Sequence, residues 1–188
     1  MSDLTKNPWI TKTTQTVYES QWIKVNKSDV VNPVGNAAVY SVVHFKNLAI
    51  GILAVDKEYN IWLVGQYRYP VDEYSWEIPE GGGAPNVTPV ESAARELKEE
   101  AGIVAKNYEE FMRLHLSNSA TDELAITFLA TDLSFEEAAP EESEVLQIKK
   151  LHLNEAFELC MQGKITDAIT VAAIQKAKWL LDNNRLKV

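Results

Sequence analysis

The sequence predicts an α/β sandwich with a mixed sheet, preceded by an N-terminal antiparallel β region. Three observations predict it. Short apolar, β-branched runs bounded by turn formers recur through the chain. A capped amphipathic helix stands among them. Two more helical stretches close the chain, and interspersed strands and helices build layered α/β domains.

In chain order, residues 1–16 are polar and read as a loose arm. From Val17 to Val43 β-branched and aromatic residues rise, interrupted at Asn32-Pro33 and Gly35-Asn36, which are hairpin signals. Leu48–Val55 reads as a buried strand, Asp56–Asn60 as a turn, and Ile61–Tyr67 as a second strand. Tyr74–Ile78 is short and aromatic and stops at Pro79; the triplet Gly81-Gly82-Gly83 then reads as a flexible loop. Residues 88–101 carry the clearest helix signal. Thr88 suits the N-cap, Pro89 the first turn, and Glu91 completes a capping box. Ala94, Leu97 and Ala101 form an apolar stripe, and Gly102 suits the left-handed position after the last turn. Ala125–Ala130 and Val145–Leu151 read as strands, with an acidic loop, Phe135–Glu144, between them. Asn154–Met161 and Thr166–Leu181 read as the closing helices. The expected organisation is residues 1–40 as an arm and β region, and 41–188 as the main domain.

Composition narrows the function. The 188 residues are 46% hydrophobic and 24% charged, which is globular rather than disordered. Lys and Arg number 18 against 27 Asp and Glu, a formal net charge of −9. An acidic surface repels phosphate backbones, so neither nucleic acid nor an anionic membrane is an expected partner. The longest apolar run, Leu48–Val55, is far short of the roughly 20 residues that span a bilayer. The first 20 residues lack the apolar stretch of a signal peptide. A cytoplasmic protein is expected. The single Cys160 excludes an intrachain disulfide and a cysteine-based zinc cluster.

The chemistry concentrates on the central helix. Glu96, Glu99 and Glu100 stand three and four residues apart, on one face. Like charges at such spacing repel, and no basic residue at 92, 93, 103 or 104 offsets them. A divalent cation would, and Mg²⁺ prefers carboxylate, water and phosphate oxygens. A solvated helix face is the bland alternative for such an acidic helix. The glycine triplet just before it favours a metal site for phosphate chemistry.

Gly81–Ile103, GGGAPNVTPVESAARELKEEAGI, closely resembles the signature box of the Nudix hydrolases. Gly81 and Arg95-Glu96-Leu97-Lys98-Glu99-Glu100-Ala101-Gly102-Ile103 match its fixed positions; the first box glutamate is replaced by Val87. Glu91, one turn before Arg95, is expected to take over the contact to that arginine. The resemblance covers roughly residues 17–182. Gln66-Tyr67-Arg68-Tyr69-Pro70 and Trp76-Glu77-Ile78-Pro79-Glu80-Gly81-Gly82 look like the ADP-ribose pyrophosphatase branch. Ser117–Glu123 resembles the loop after the box there, without its Pro-Gly.

That resemblance implies a Nudix-type α/β/α sandwich and a Mg²⁺-dependent pyrophosphohydrolase, with Mn²⁺ as the alternative ion. It acts on ADP-ribose or a related nucleoside diphosphate sugar. Glu96 and Glu100 are implied as principal metal ligands, with Glu99 ligating or supporting and the backbone carbonyl of Glu80 as a main-chain ligand. Glu144, or Glu142, is implied as the residue that activates water, and Arg68 as a substrate-binding arginine. Arg95, Gly81 and Gly102 are structural supports. Trp22 and Tyr18 are candidates to stack on a base, and a homodimer is implied by the branch. Trp62 and Trp76 read as core aromatics; His44, His115 and His152 have no metal-type spacing, and Cys160 reads as inert. The alternatives are GDP-mannose or a dinucleotide as substrate, or a nucleotide-binding module without chemistry.

Overall fold

The structure is a computed structural model and describes residues 5–139 and 145–188. The chain divides into two compact units, Met1–Asn47 with Ser117–Glu123 and Leu48–Leu116 with Leu124–Val188.

The first unit is an antiparallel sheet in the order β1-β2-β3: β1 (Ile10–Glu19), β2 (Ile23–Val31) and β3 (Ala37–Phe45). Residues 10–16 of the stretch expected as a loose arm are therefore strand. Its polar side chains pair across the ladder, Thr13 with Asp29, Thr14 with Ser28 and Thr16 with Asn26. Such polar cross-strand pairs stabilise a two-sided, exposed strand that leaves no hydrophobic alternation to read. The β2–β3 turn is as expected. Asn32 accepts from Val34 and Asn36 through its side chain, and Gly35 takes φ +91°. Residues 117–123 join this unit along β3: Val43 donates to the Ala120 carbonyl, and Asp122 accepts from the Phe45 N–H and pairs with His44.

The second unit holds two sheets and three helices. One sheet runs β7 (Glu80–Gly83), β4 (Leu48–Ala54), β9 (Leu124–Phe135), β8 (Ile103–His115). Its β4–β9 pair is parallel and the others antiparallel, so the sheet is mixed. The other runs β10 (Gln147–His152), β5 (Asn60–Arg68), β6 (Glu73–Glu77). The helices are α1 (Pro89–Ala101), α2 (Leu153–Met161) and α3 (Ala168–Asp182).

Alternation along β4 sorts the core into two layers. Ile50, Ile52 and Ala54 pack with Ile126 and Phe128 of β9 and with Ala93, Leu97 and Ala101 of α1. Leu53 and Val55 face the other way, to Leu153 and Ala156 of α2 and Ile169, Ala173, Ile174 and Ala177 of α3. Helices thus cover both faces, as the sandwich requires. Fully burying Leu97 contributes roughly 1.5–3 kcal/mol, enough to offset the repulsion of one glutamate pair on the same helix.

Three more elements differ from the sequence expectation, one of them β8, which the sequence reading did not place. The glycine triplet is strand β7, with Gly81, Gly82 and Gly83 opposite Ile50, Ala49 and Leu48. Phe135 closes β9 rather than opening the acidic loop, because β8 runs alongside it to Ile103. Trp62 is core as expected, and Trp76 is packed against the second layer. Among the described residues no helix is long and apolar enough to cross a membrane.

Candidate active site

Local sequence places the acidic helix. Thr88 and Glu91 make the reciprocal capping box, and Gly102 ends the helix at φ +64°. That end is crowded: a Cβ on Gly102 would come 2.5 Å from the Glu136 carbonyl oxygen. Glu136 donates its N–H to the Gly102 carbonyl, Ala139 donates to that of Glu99, and Lys98 pairs with Glu136. The chain entering the acidic loop is therefore tied to the end of α1.

Glu96 and Glu100 are buried, with 8% and 3% of their surface exposed. Their face of α1 meets β7. A Cβ on Gly81 would lie 2.1 Å from the carboxylate carbon of Glu96, so only glycine lets the carboxylate reach the strand. Close approach, not flexibility, explains this glycine. The Glu80 N–H donates to Glu100 Oε2 at 2.8 Å. The Glu96 and Glu100 carboxylates offer hard oxygens of the kind that Mg²⁺ or Mn²⁺ takes.

Arg95 departs from the expected pairing. It donates to Glu99 Oε2, to Glu96 Oε1 and to the Gly82 carbonyl, at 2.7, 2.5 and 3.2 Å. Glu91 is instead engaged by Thr88, whose N–H and hydroxyl both donate to its carboxylate. The box arginine is held by the acidic face and β7, and it offsets Glu96 from the neighbouring position. The expectation that no local cation does so fails because a long guanidinium, drawn toward the Gly82 carbonyl, reaches its sequence neighbour.

Arg68 lies at the end of β5 opposite β6. Its Nε donates to both Glu77 oxygens, and one terminal nitrogen donates to Glu77 at 2.6 Å and Glu80 at 2.7 Å. Burial disfavours its charge, but Glu77 and Glu80 outweigh that and keep it protonated. Glu77, Glu80 and Asp167 bring carboxylate oxygens within 4.8 Å of one another. Glu80 Oε2 is buried without a hydrogen-bond partner. Burial pushes the Glu80 carboxyl well above the usual range, Asp167 and Glu77 add to this, and Arg68 opposes it.

Glu77 and Asp167 were not among the candidates from sequence. Glu77 stands within the quoted Trp76–Gly82 stretch. Asp167 is visible only as a helix cap, and tertiary folding brings it to Glu80. Trp22 and Tyr18 belong to the first unit and are 61% and 57% exposed. Glu142 and Glu144 lie outside the described residues. His152 caps α2 by accepting from Asn154, and burial raises the Cys160 thiol to about 11.

Known proteins resemble this chain in sequence and in fold. The NUDIX domain matches residues 45–172. The ADP-ribose pyrophosphatase of Bacillus subtilis (strain 168) is 32% identical over 161 residues, covering 85% of this chain and 86% of that protein. The methanol dehydrogenase activator of Bacillus methanolicus is 30% identical over 164 residues, 86% of this chain and 88% of that one. A crystal structure of an ADP compounds hydrolase superposes with a TM-score of 0.84 at 23% identity, covering 96% of this chain and 98% of that one. With the box helix set against β7 and the family match running across most of its length, the chain belongs to the Nudix family.

Proposed function

We propose that the protein is a divalent-metal-dependent pyrophosphohydrolase that splits ADP-ribose into AMP and a ribose phosphate. One observation carries the reading. Two buried carboxylates, Glu96 and Glu100, face the strand main chain at Glu80 and Gly81 in a chain 32% identical to an ADP-ribose pyrophosphatase.

Glu96 and Glu100, with Glu99 and the Glu80 carbonyl, would hold Mg²⁺ or Mn²⁺. Bound there, the cation would neutralise the diphosphate and make a water easier to deprotonate. The need is electrostatic. At about 5 Å and an effective dielectric near 20, each like-charge pair costs about 3 kcal/mol. Arg95 and Gly81 keep Glu96 in place. Arg68, oriented by Glu77 and Glu80, presents positive charge to the substrate.

The water's proton goes to Glu144, with Glu142 and Glu99 as the other acceptors. The water oxygen attacks one phosphorus in line, and the bond to the bridging oxygen breaks. The anchored start of the acidic loop supports this role. In a homodimer, Trp22 and Tyr18 would stack on the adenine bound by the partner chain. Residues 1–40 would pair two chains into a homodimer, testable by sedimentation.

The experiment is a panel of ADP-ribose, GDP-mannose and a dinucleotide with Mg²⁺, scored by phosphate release after phosphatase coupling. ADP-ribose is expected to be cleaved fastest. Preference for another compound replaces the substrate; binding of ADP-ribose without turnover identifies a nucleotide-binding module.

A further inference from the structure

We propose that Thr170, on α3, is a positioning residue for the main chain that faces the metal carboxylates. The proposal rests on the reading of Glu96, Glu100 and the Glu80 main chain as a cation site.

Ile78 and Pro79 carry the chain from β6, in one sheet, to β7, in the other. Between the two strands no ladder holds them. Pro79 has no N–H, so the Ile78–Glu80 tripeptide owns two donors, those of Ile78 and Glu80. The Ile78 N–H donates to Thr170 Oγ1 at 2.9 Å, in a buried bond spanning 92 residues of sequence. The Glu80 N–H donates to Glu100 Oε2 at 2.8 Å. Between them, the Pro79 carbonyl accepts from the Ile52 N–H at 2.8 Å. These three polar atoms are thus held by three different elements: α3, β4 and α1.

Thr170 is itself fixed. It is fully buried, and its N–H donates to the capping carboxylate of Asp167 at 2.7 Å. Helix α3 packs closely on β4 at Gly51. A Cβ on Gly51 would already lie 2.7 Å from Ile169 Cγ2 and 3.1 Å from Ile78 Cδ1. Thr170 therefore sets where the tripeptide leaves β6, and so where the Glu80 carbonyl stands relative to Glu96 and Glu100. Removing its oxygen leaves the Ile78 N–H buried and unpaired, and the tripeptide must shift to recover a partner.

The test is Mn²⁺ titration followed by electron paramagnetic resonance, without substrate, on wild type, Thr170→Val and Thr170→Ser. Thr170→Val keeps the shape and loses the acceptor; it is expected to bind Mn²⁺ about 10-fold more weakly, as for lost outer-shell partners of metal ligands. Thr170→Ser restores the acceptor and should bind within about twofold of wild type, although its melting temperature falls with the lost methyl group. Thr170→Cys, a weak acceptor that fits the same space, gives an intermediate affinity and serves where the valine variant does not fold. If the valine or cysteine variant loses only melting temperature and keeps wild-type Mn²⁺ affinity, Thr170 is merely a structural residue and the proposal is overturned. If wild type takes up no Mn²⁺, the cation-site reading itself fails.

Discussion

Gly81 and Glu96 share one space: the volume a Cβ would fill at Gly81 is occupied by the Glu96 carboxylate, 2.1 Å away. The obstructing atoms end a flexible side chain, so the fold can yield where the site cannot. Gly81→Ala is expected to keep the fold with a lowered melting temperature, because the buried Glu96 carboxylate must swing aside to admit the Cβ. Its Mg²⁺ requirement should rise sharply and its turnover fall. Activity assayed against Mg²⁺ concentration checks this; an unchanged Mg²⁺ curve would remove Glu96 from the metal site.

Glu100→Gln keeps an oxygen for the Glu80 N–H and removes the charge. It should fold normally and lose at least about 10²-fold in turnover, or about 2.7 kcal/mol. Circular dichroism with steady-state kinetics decides. Retention of more than about a tenth of wild-type turnover counts against Glu100 as a metal ligand.

Arg68→Met removes the cation from Glu77, Glu80 and Asp167, whose carboxylate oxygens lie within 4.8 Å of one another. Breaking a buried pair costs about 3–5 kcal/mol. Arg68 is 36% exposed, so solvent screens part of this and about 2 kcal/mol is expected. Urea unfolding checks the value. Arg68→Met with Glu77→Gln should recover part of the loss, because one unpaired charge has been removed.

Gly102→Ala meets two penalties. The left-handed φ of +64° costs a side chain about 1–2 kcal/mol, and the new Cβ strikes the Glu136 carbonyl at 2.5 Å. The obstruction is backbone and cannot rotate away. Stability should fall by at least about 2 kcal/mol in urea unfolding. Turnover should also fall, since the start of the acidic loop must leave α1. Lost stability with unaltered kcat would separate that loop from catalysis.

Asp56 predicts a pH effect. Burial raises its pKa, but hydrogen bonds from Lys150 and Asn60 outweigh burial and hold it below 3.8. A carboxylate depressed in the folded state stabilises above its unfolded pKa, and the stabilisation is lost as pH falls through the folded value. Urea midpoints from about pH 5 downward should therefore drop more steeply in wild type than in Asp56→Asn. Parallel curves would show that the turn does not contribute.

How far the sequence reaches depends on the range of each interaction. Helix α1 was legible to the residue because Thr88, Pro89, Glu91 and Gly102 act within one or two turns. Alternating or continuous apolar runs likewise revealed β4 and β5. The polar β1 was not legible, since cross-strand hydroxyl and carboxylate pairs leave no hydrophobic period. Nor was β8, whose burial is irregular along its length. The acidic face of Glu96, Glu99 and Glu100 was readable from spacing. Its partners were not: Arg95 turned to Glu96 and the Gly82 carbonyl, and Glu91 stayed with Thr88.

The amino-acid order by itself determined the capped helix, the carboxylate face and the kind of ion such oxygens hold, because those follow from short-range geometry and charge. Only the tertiary structure decided that the glycine triplet is a strand. Ile50, Ala49 and Leu48 supply its ladder, and the Glu96 carboxylate occupies the space that Gly81 leaves. The same holds for Arg68, Glu77, Glu80 and Asp167, and for Thr170 beneath Ile78. Desolvation gives those polar groups their strength, and desolvation exists only once distant segments have packed together.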